Sequence, residues 1–304
     1  MHKRLGEIFL LIKTRFESER EKKIYVDRCE ARFEADMAEC VRSLLQNKSL
    51  KFITLSGPTC SGKTTAAHII VDALEAAGHK VKVVSIDDFF YERDFLDSRA
   101  ELDYDSVETI DLELLKTVVD GIEEGKSVEI PHFDFASGHR THFDTYFPVP
   151  GGVTLFEGIQ AVYPEVSVLF DKSDTVSIYI SVAQDINFDN VTVDARTVRL
   201  MRRLVRDCKK RGATPEFTLT LWKSVCSNED RSILPYKDLC DYKLDSLLGY
   251  ELGALKKPLL ALLVQVGKES IHAKRVSELK DIIDRVDSID VEMLPEKSLF
   301  YEFI

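Results

Sequence analysis

Eight consecutive residues, Gly57, Pro58, Thr59, Cys60, Ser61, Gly62, Lys63 and Thr64, satisfy G-x-x-x-x-G-K-[ST] without a mismatch. In such a loop the glycines let the backbone bend until its N–H groups converge on phosphate oxygens, and the helix that follows aims its positive end at the same point. The lysine reaches the outer phosphates, and the hydroxyl of Thr64 suits Mg²⁺. A chance match at an ordinary glycine turn is the competing reading. Context argues against it, because the loop, which runs on to Thr65, follows a β-rich run at 51–56 and opens a helical run at 66–77.

Two acids stand where a phosphate on that loop would need them. Ligands of open α/β sheets bind beyond the carboxyl ends of the strands. Asp87 follows the run 81–86, and Glu157 follows 153–156. A carboxylate there either holds a metal through water or takes a proton from an attacking hydroxyl, whereas on its own it would more often be a cap or a solvated loop charge. Neighbouring strand residues face opposite ways, so only one of Asp87 and Asp88 faces the phosphate, and Asp87 is favoured. A third feature is basic: Arg196, Arg199, Arg202, Arg203, Arg206, Lys209, Lys210 and Arg211 lie within one short stretch. Arg199, Arg202, Arg203, Arg206 and Lys210 fall on one helical face, with Leu200, Leu204 and Val205 to anchor the other. Such a row can close over a triphosphate as a lid. The alternatives are a solvated face paired with acids and a nucleic-acid footprint.

The elements that must carry these residues alternate between strand and helix, which implies a parallel sheet with helices on both faces. Further strands are expected at 153–156, 176–182 and 259–266. A helix is capped by Asp111 and stopped near Gly125, and another opens at Thr214-Pro215. Aromatics on either side of Ser137-Gly138 mark residues 128–147 as a β-hairpin appended to the sheet. Leu5, Ile8, Phe9, Ile12 and Phe16, then Phe33, Met37, Cys40, Val41, Leu44 and Leu45, repeat at helical spacing, so 1–46 reads as helical. The expected division is a helical N-terminal extension, 1–48, and a phosphate-loop domain, 49–304.

Composition sets the outer limits. Of 304 residues, 41 are Lys or Arg and 52 Asp or Glu, a net charge of -11 that disfavours a nucleic-acid partner. No apolar run approaches the roughly 20 residues that span a bilayer, and the patch at 8–12 is short for a signal peptide. The six cysteines form no C-x-x-C pair and read as free thiols of a reducing cytoplasm. The chain is compatible with a homo-oligomer without requiring one.

Taken in order, GPTCSGKTT at 57, SIDDFFYERD at 85, IPHFDFASGHR at 130, LFEGIQAVYPE at 155, RLMRRLVRDCKKRG at 199 and YELGALKKPL at 250 resemble the uridine kinase and phosphoribulokinase family. The resemblance covers about residues 50–304 and is nearest to longer uridine kinase-like members. It implies a P-loop NTPase fold with an arginine-rich lid helix, ATP and Mg²⁺ as cofactors, and transfer of the γ-phosphate to a primary hydroxyl of a small molecule. The 5′-hydroxyl of uridine or cytidine heads the acceptors; another alcohol, or a nucleotide-binding regulator without transfer, is the alternative. By the same resemblance Asp87 is the base, Glu157 stands beside the metal with Thr64 as direct ligand, and Phe133 stacks on the nucleoside base, with Arg140 following in that motif. Arg203 and Arg206 are substrate-side and phosphate-side arginines, and Arg211 is the arginine before the terminal glycine of the lid. Asp105, or Asp103 in a shifted register, holds ribose hydroxyls. The chain departs from the common uridine kinase pattern at Phe133, often tyrosine, at Gly138, often histidine, and at Ala213, often arginine.

Overall fold

Runs such as FITLS and VTLFE, apolar without alternation, are what a sheet covered on both faces demands, and the computed structural model builds that sheet. It describes residues 3–4, 12–97 and 106–304. In chain order the elements are β1 (Lys3–Arg4), α1 (Glu19–Gln46), β2 (Phe52–Ser56), α2 (Lys63–Ala76), β3 (Val81–Ser85), α3 (Arg93–Asp97) and α4 (Leu112–Glu123). The hairpin β4 (Val128–Asp134) and β5 (His139–Tyr146) follows, then β6 (Val153–Glu157), α5 (Pro164–Ser167), β7 (Thr175–Ser181), β8 (Ile186–Phe188) and β9 (Val191–Val193). The chain continues through α6 (Ala195–Lys210), α7 (Pro215–Asn228), β10 (Tyr242–Asp245), α8 (Glu251–Leu263) and α9 (Ala273–Asp284).

The central sheet has the order β1-β10-β7-β2-β6-β3, parallel throughout. Side chains of β2 alternate between two apolar layers. Phe52 enters one with Phe156, Phe170 and the inner face of α4; Ile53 and Leu55 enter the other, shared by α1, α2, α6 and α8. The carboxyl ends of β2, β3 and β6 therefore open together, and each delivers one of the chemical residues picked out above. The helix on 112–123 is capped as expected, Asp111 Oδ1 accepting the Leu114 N–H at 3.0 Å.

Two expectations give way. Residues 259–266 are not a strand: Leu255, Leu259 and Leu263 recur at helical spacing and are buried along α8. The place beside β7 belongs to β10, a four-residue strand whose two charged residues hide it from a hydrophobic search, and β1 pairs with its other side. The N-terminal helix is also shorter than 1–46. It starts at Glu19, where Ser18 Oγ accepts the Glu21 N–H at 3.2 Å and Glu21 Oε2 accepts the Glu17 N–H at 2.8 Å. That S-x-x-E reciprocal cap at 18–21 is a helix-start signal. Ahead of it Phe16 is extended and lies on Tyr25, with ring centroids 5.5 Å apart. Leu5, Ile8 and Phe9 lie outside the described residues.

Candidate active site

The phosphate loop is shaped by its protein neighbours. A Cβ on Gly57 would come within 2.1 Å of the Ile180 carbonyl oxygen, so only glycine fits against the end of β7. Gly62, at φ +94°, takes the left-handed turn into α2. Cys60 also has positive φ, 56°, which costs a residue with a Cβ. Two buried arginines hold it there. Arg202 donates to the Cys60 carbonyl at 3.1 Å and Arg199 to the Thr59 carbonyl at 3.2 Å. Arg202 is itself paired with Glu251 through Nε–Oε2 at 2.5 Å and Nη2–Oε1 at 2.9 Å, and Arg199 with Glu229 at 2.5 Å.

Lys63 Nζ donates to the carbonyls of Gly57 at 2.9 Å and Pro58 at 3.3 Å. Burial pushes its pKa down, while the carboxylates of Glu157, Glu302 and Asp87 pull the other way. Glu157 ends β6 opposite Ser85, whose hydroxyl donates to it at 3.0 Å. Asp87 lies on a 3₁₀ turn, Ile86–Phe89, directly after β3. The two adjacent acids divide, but on a 3₁₀ turn and not by the alternation of a strand: Asp87 faces the cleft, and Asp88 accepts the Phe133 N–H at 3.0 Å, fastening the hairpin.

These groups share one cleft of about 940 Å³. Its walls bring together Thr59, Cys60, Lys63, Thr64, Asp87, Glu157, Phe133, Arg203, Arg206 and Arg211. At the hairpin end Phe133 meets Phe90 and Phe135, with centroids 5.7 and 5.1 Å away. Gly57, Pro58, Ser61, Gly62 and Thr65 shape the loop behind the wall. Arg140 is committed elsewhere: it donates to the carbonyls of Phe90 at 3.1 Å and Phe89 at 3.2 Å, and to Asp111 Oδ2 at 3.0 Å. It braces the hairpin from beneath. Asp105 and Asp103 lie outside the described residues.

The basic helix forms as expected, but its cations divide by direction. Arg199 and Arg202 point back to the phosphate loop, and Lys210 donates to the carbonyls of Tyr301 at 2.6 Å and Glu302 at 3.2 Å. Arg203 and Arg206 face the cleft, both paired with Asp207, at 3.0 Å and 2.7 Å, and Arg211 Nε lies 3.9 Å from the same carboxylate. One carboxylate among three guanidinium groups leaves excess positive charge. Burial and then the like charge of Arg206 lower the Arg211 pKa, as expected where cations crowd without enough anion. Val198, Leu200, Met201, Leu204 and Val205 are buried, so α6 is anchored on the core by its apolar residues while Arg203 and Arg206 are presented to the cleft.

Several site residues escaped the sequence reading. Glu302 Oε2 accepts from the Thr65 N–H at 3.0 Å and its hydroxyl at 2.9 Å, capping α2, whose own N-cap residue, Gly62, has no side chain to do so. Nothing local could reveal a partner 237 residues away. Gln160, three residues after Glu157, lines the cleft, and Arg93 fills the space beside Gly138. Among the described residues, the buried Gln160 Oε1 and Ser61 Oγ have no hydrogen-bond partner. Orphaned polar atoms beside a phosphate loop fit a bound phosphate and the water shell of a metal ion. Thr64 and Glu157 are the residues that would hold Mg²⁺, and Lys63 with the arginines would hold phosphate oxygens.

Residues 52–248 match the Phosphoribulokinase / Uridine kinase family. Uridine kinases of Staphylococcus aureus, strains JH9 and Newman among them, are 33% identical over 197 residues, which cover 64% of this chain and 86% of theirs. Among solved structures, a putative fructose transport system kinase from Silicibacter sp. TM1040 superposes with a TM-score of 0.52 at 19% identity, covering 68% of this chain and 98% of that one, a likeness of fold alone. No helix among the described residues is long and apolar enough to cross a membrane. A parallel sheet, a phosphate loop after β2 and acids at the ends of the next two strands on one side, Glu157 on β6 and Asp87 after β3, are what the match would require, and the chain belongs to the phosphoribulokinase / uridine kinase family of α/β P-loop kinases, phosphotransferases acting on an alcohol group.

Proposed function

We propose that this chain binds Mg-ATP on the phosphate loop and transfers the γ-phosphate to the 5′-hydroxyl of a pyrimidine nucleoside. The observation that carries this reading is a single cleft in which Lys63 and Asp87 face the same space, closed at one end by arginines and at the other by an aromatic cluster. Lys63, the loop N–H groups, Arg203, Arg206 and Arg211 bind and orient the phosphates. Bound Mg²⁺ supplies charge neutralisation across the phosphate oxygens. Asp87 accepts the proton of the attacking hydroxyl, and Phe133 stacks on the base. The hairpin and the loop exclude water from the reacting atoms. Residues 1–48 act as an extension of the kinase domain, with α1 laid on the core. Similarity to uridine kinases supports a nucleoside as acceptor.

One observation favours a second reading, a kinase of an anionic alcohol such as a sugar phosphate. Arg93 stands where a side chain at position 138 would otherwise project, and it lines the same cleft. That adds a cation to the acceptor end. The experiment that decides is product formation from Mg-ATP with a panel of nucleosides, sugars, sugar phosphates and hydroxy acids. Phosphorylated uridine or cytidine as the best product supports the first reading; turnover confined to phosphorylated or acidic acceptors supports the second and overturns the first.

A further inference from the structure

The hairpin has two faces, and only one belongs to the cleft. His132 is paired across the strands with His142, and Phe133 with Arg140, so Thr141 is an extra residue, a β-bulge. The bulge turns Phe133 toward the cleft while His132, His142 and Asp144 gather on the other side, since residues two apart on a strand share a face. The two imidazole rings stack at 4.4 Å between centroids with planes 17° apart. Asp144 Oδ2 lies 2.9 Å from His132 Nε2, and Oδ1 lies 4.0 Å from His142 Nε2. One donor atom from each residue falls within 4.8 Å of the others.

The Thr141 hydroxyl lies 3.3 Å from the His132 carbonyl oxygen and 3.0 Å from His142 Nδ1. When the carbonyl takes the hydroxyl proton, the hydroxyl accepts from Nδ1–H and Nε2 presents its lone pair to the cluster. A partner that fixes the far nitrogen of a histidine in this way is the usual outer support of a metal ligand.

We propose that His132, His142 and Asp144 form a zinc site on the outer face of the hairpin, with Thr141 as the residue that orients His142. Two imidazoles and one carboxylate suit a borderline cation; Mg²⁺ and Ca²⁺ prefer all-oxygen sets. Bonds of about 2.0–2.2 Å would part His132 Nε2 from the Asp144 oxygen it now touches and draw His142 inward, which exposed side chains achieve by rotation, and water completes the shell. With ligands on both strands at the bulge, the ion staples the register that divides the two faces. Neither the phosphate loop nor its acids take part.

The test uses the full chain without a histidine tag, stripped of metal and dialysed against Zn²⁺ in excess Mg²⁺. Wild type should bind one zinc ion more than a His132→Ala/His142→Ala variant, and Thr141→Val should weaken that ion's binding about 10–100-fold, the usual cost of losing such a support. Hydrogen exchange across 128–146 should slow on zinc addition in wild type and not in the double variant. Asp144→Asn, an exposed isosteric change, should weaken the same ion and serves as the second variant should the double one lose its circular dichroism. Equal zinc stoichiometry and affinity in wild type and a folded variant would overturn the site.

Discussion

The phosphate loop and the hairpin face each other across one cleft and are held by opposite means. The loop is sunk in the core: its carbonyls are tied to buried arginines, its glycines abut β7 and Leu299, and its helix is capped by Glu302. The hairpin stands outside the sheet: Val128 and Ile130 are buried at its base, and its outer part is held by the Phe133 N–H to Asp88, by Arg140 to two carbonyls and Asp111, and by Arg93, which donates to the carbonyls of Gly138 and Phe135. Phe135 and Phe143 are exposed on it. The half that handles phosphate is preorganised, as electrostatic stabilisation requires, because dipoles that must reorganise during reaction waste their effect. The half that faces the acceptor is rooted in the core only at its base, so its exposed tip can vary without disturbing the core.

If that contrast is right, changes on the two sides should differ in kind. The largest effect belongs to Asp87, which stands between them: Asp87→Asn should lower turnover roughly a hundredfold or more while ATP affinity stays near normal, by the usual size of acid–base catalysis. Steady-state kinetics beside ATP titration would check it, and undiminished turnover would remove Asp87 from the chemistry. Next is Arg202→Ala, which abandons a fully buried Glu251 and should cost about 3–5 kcal/mol in urea unfolding. A loss as small as a surface pair's would mean that the loop is not anchored as described.

On the hairpin, Phe133→Ala should leave unfolding midpoints nearly unchanged and raise the acceptor KM by the roughly 1–3 kcal/mol of a lost base–aromatic stack. A fall in global stability of similar size would erase the contrast. The smallest effect is Glu302→Ala. Removing the cap on Thr65 should cost about 0.5–2 kcal/mol of stability, as helix caps do, read as a shift in thermal midpoint, and because it also removes a carboxylate from the cleft it should not weaken ATP binding. Weaker ATP binding would recast Glu302 as part of the nucleotide site.

Much of this was legible in the sequence where a pattern is local. The loop at 57–64, the acids after β3 and β6 and the cap at Asp111 are short-range signals in which backbone geometry and residue type meet within a few positions. The strand β10 was hidden because Tyr242–Asp245 is brief and half charged, and its membership in the sheet comes from pairing with β7 rather than from its own hydrophobicity. The run at 259–266 misled because a fully buried helix and a buried strand look alike over eight apolar residues.

The chemistry on offer, a phosphate cradle, two carboxylates and a local cluster of arginines, is written in residue types and their spacing along the chain. What each arginine does depends on how the helix packs. Arg199 and Arg202 differ from Arg203 and Arg206 by a rotation about one helix axis, yet the first pair is buried against Glu229 and Glu251 while the second faces the cleft. Helical periodicity can say that charges share a side, but burial is set by what packs there. Glu251 and Glu302 reach their partners from 49 and 237 residues away.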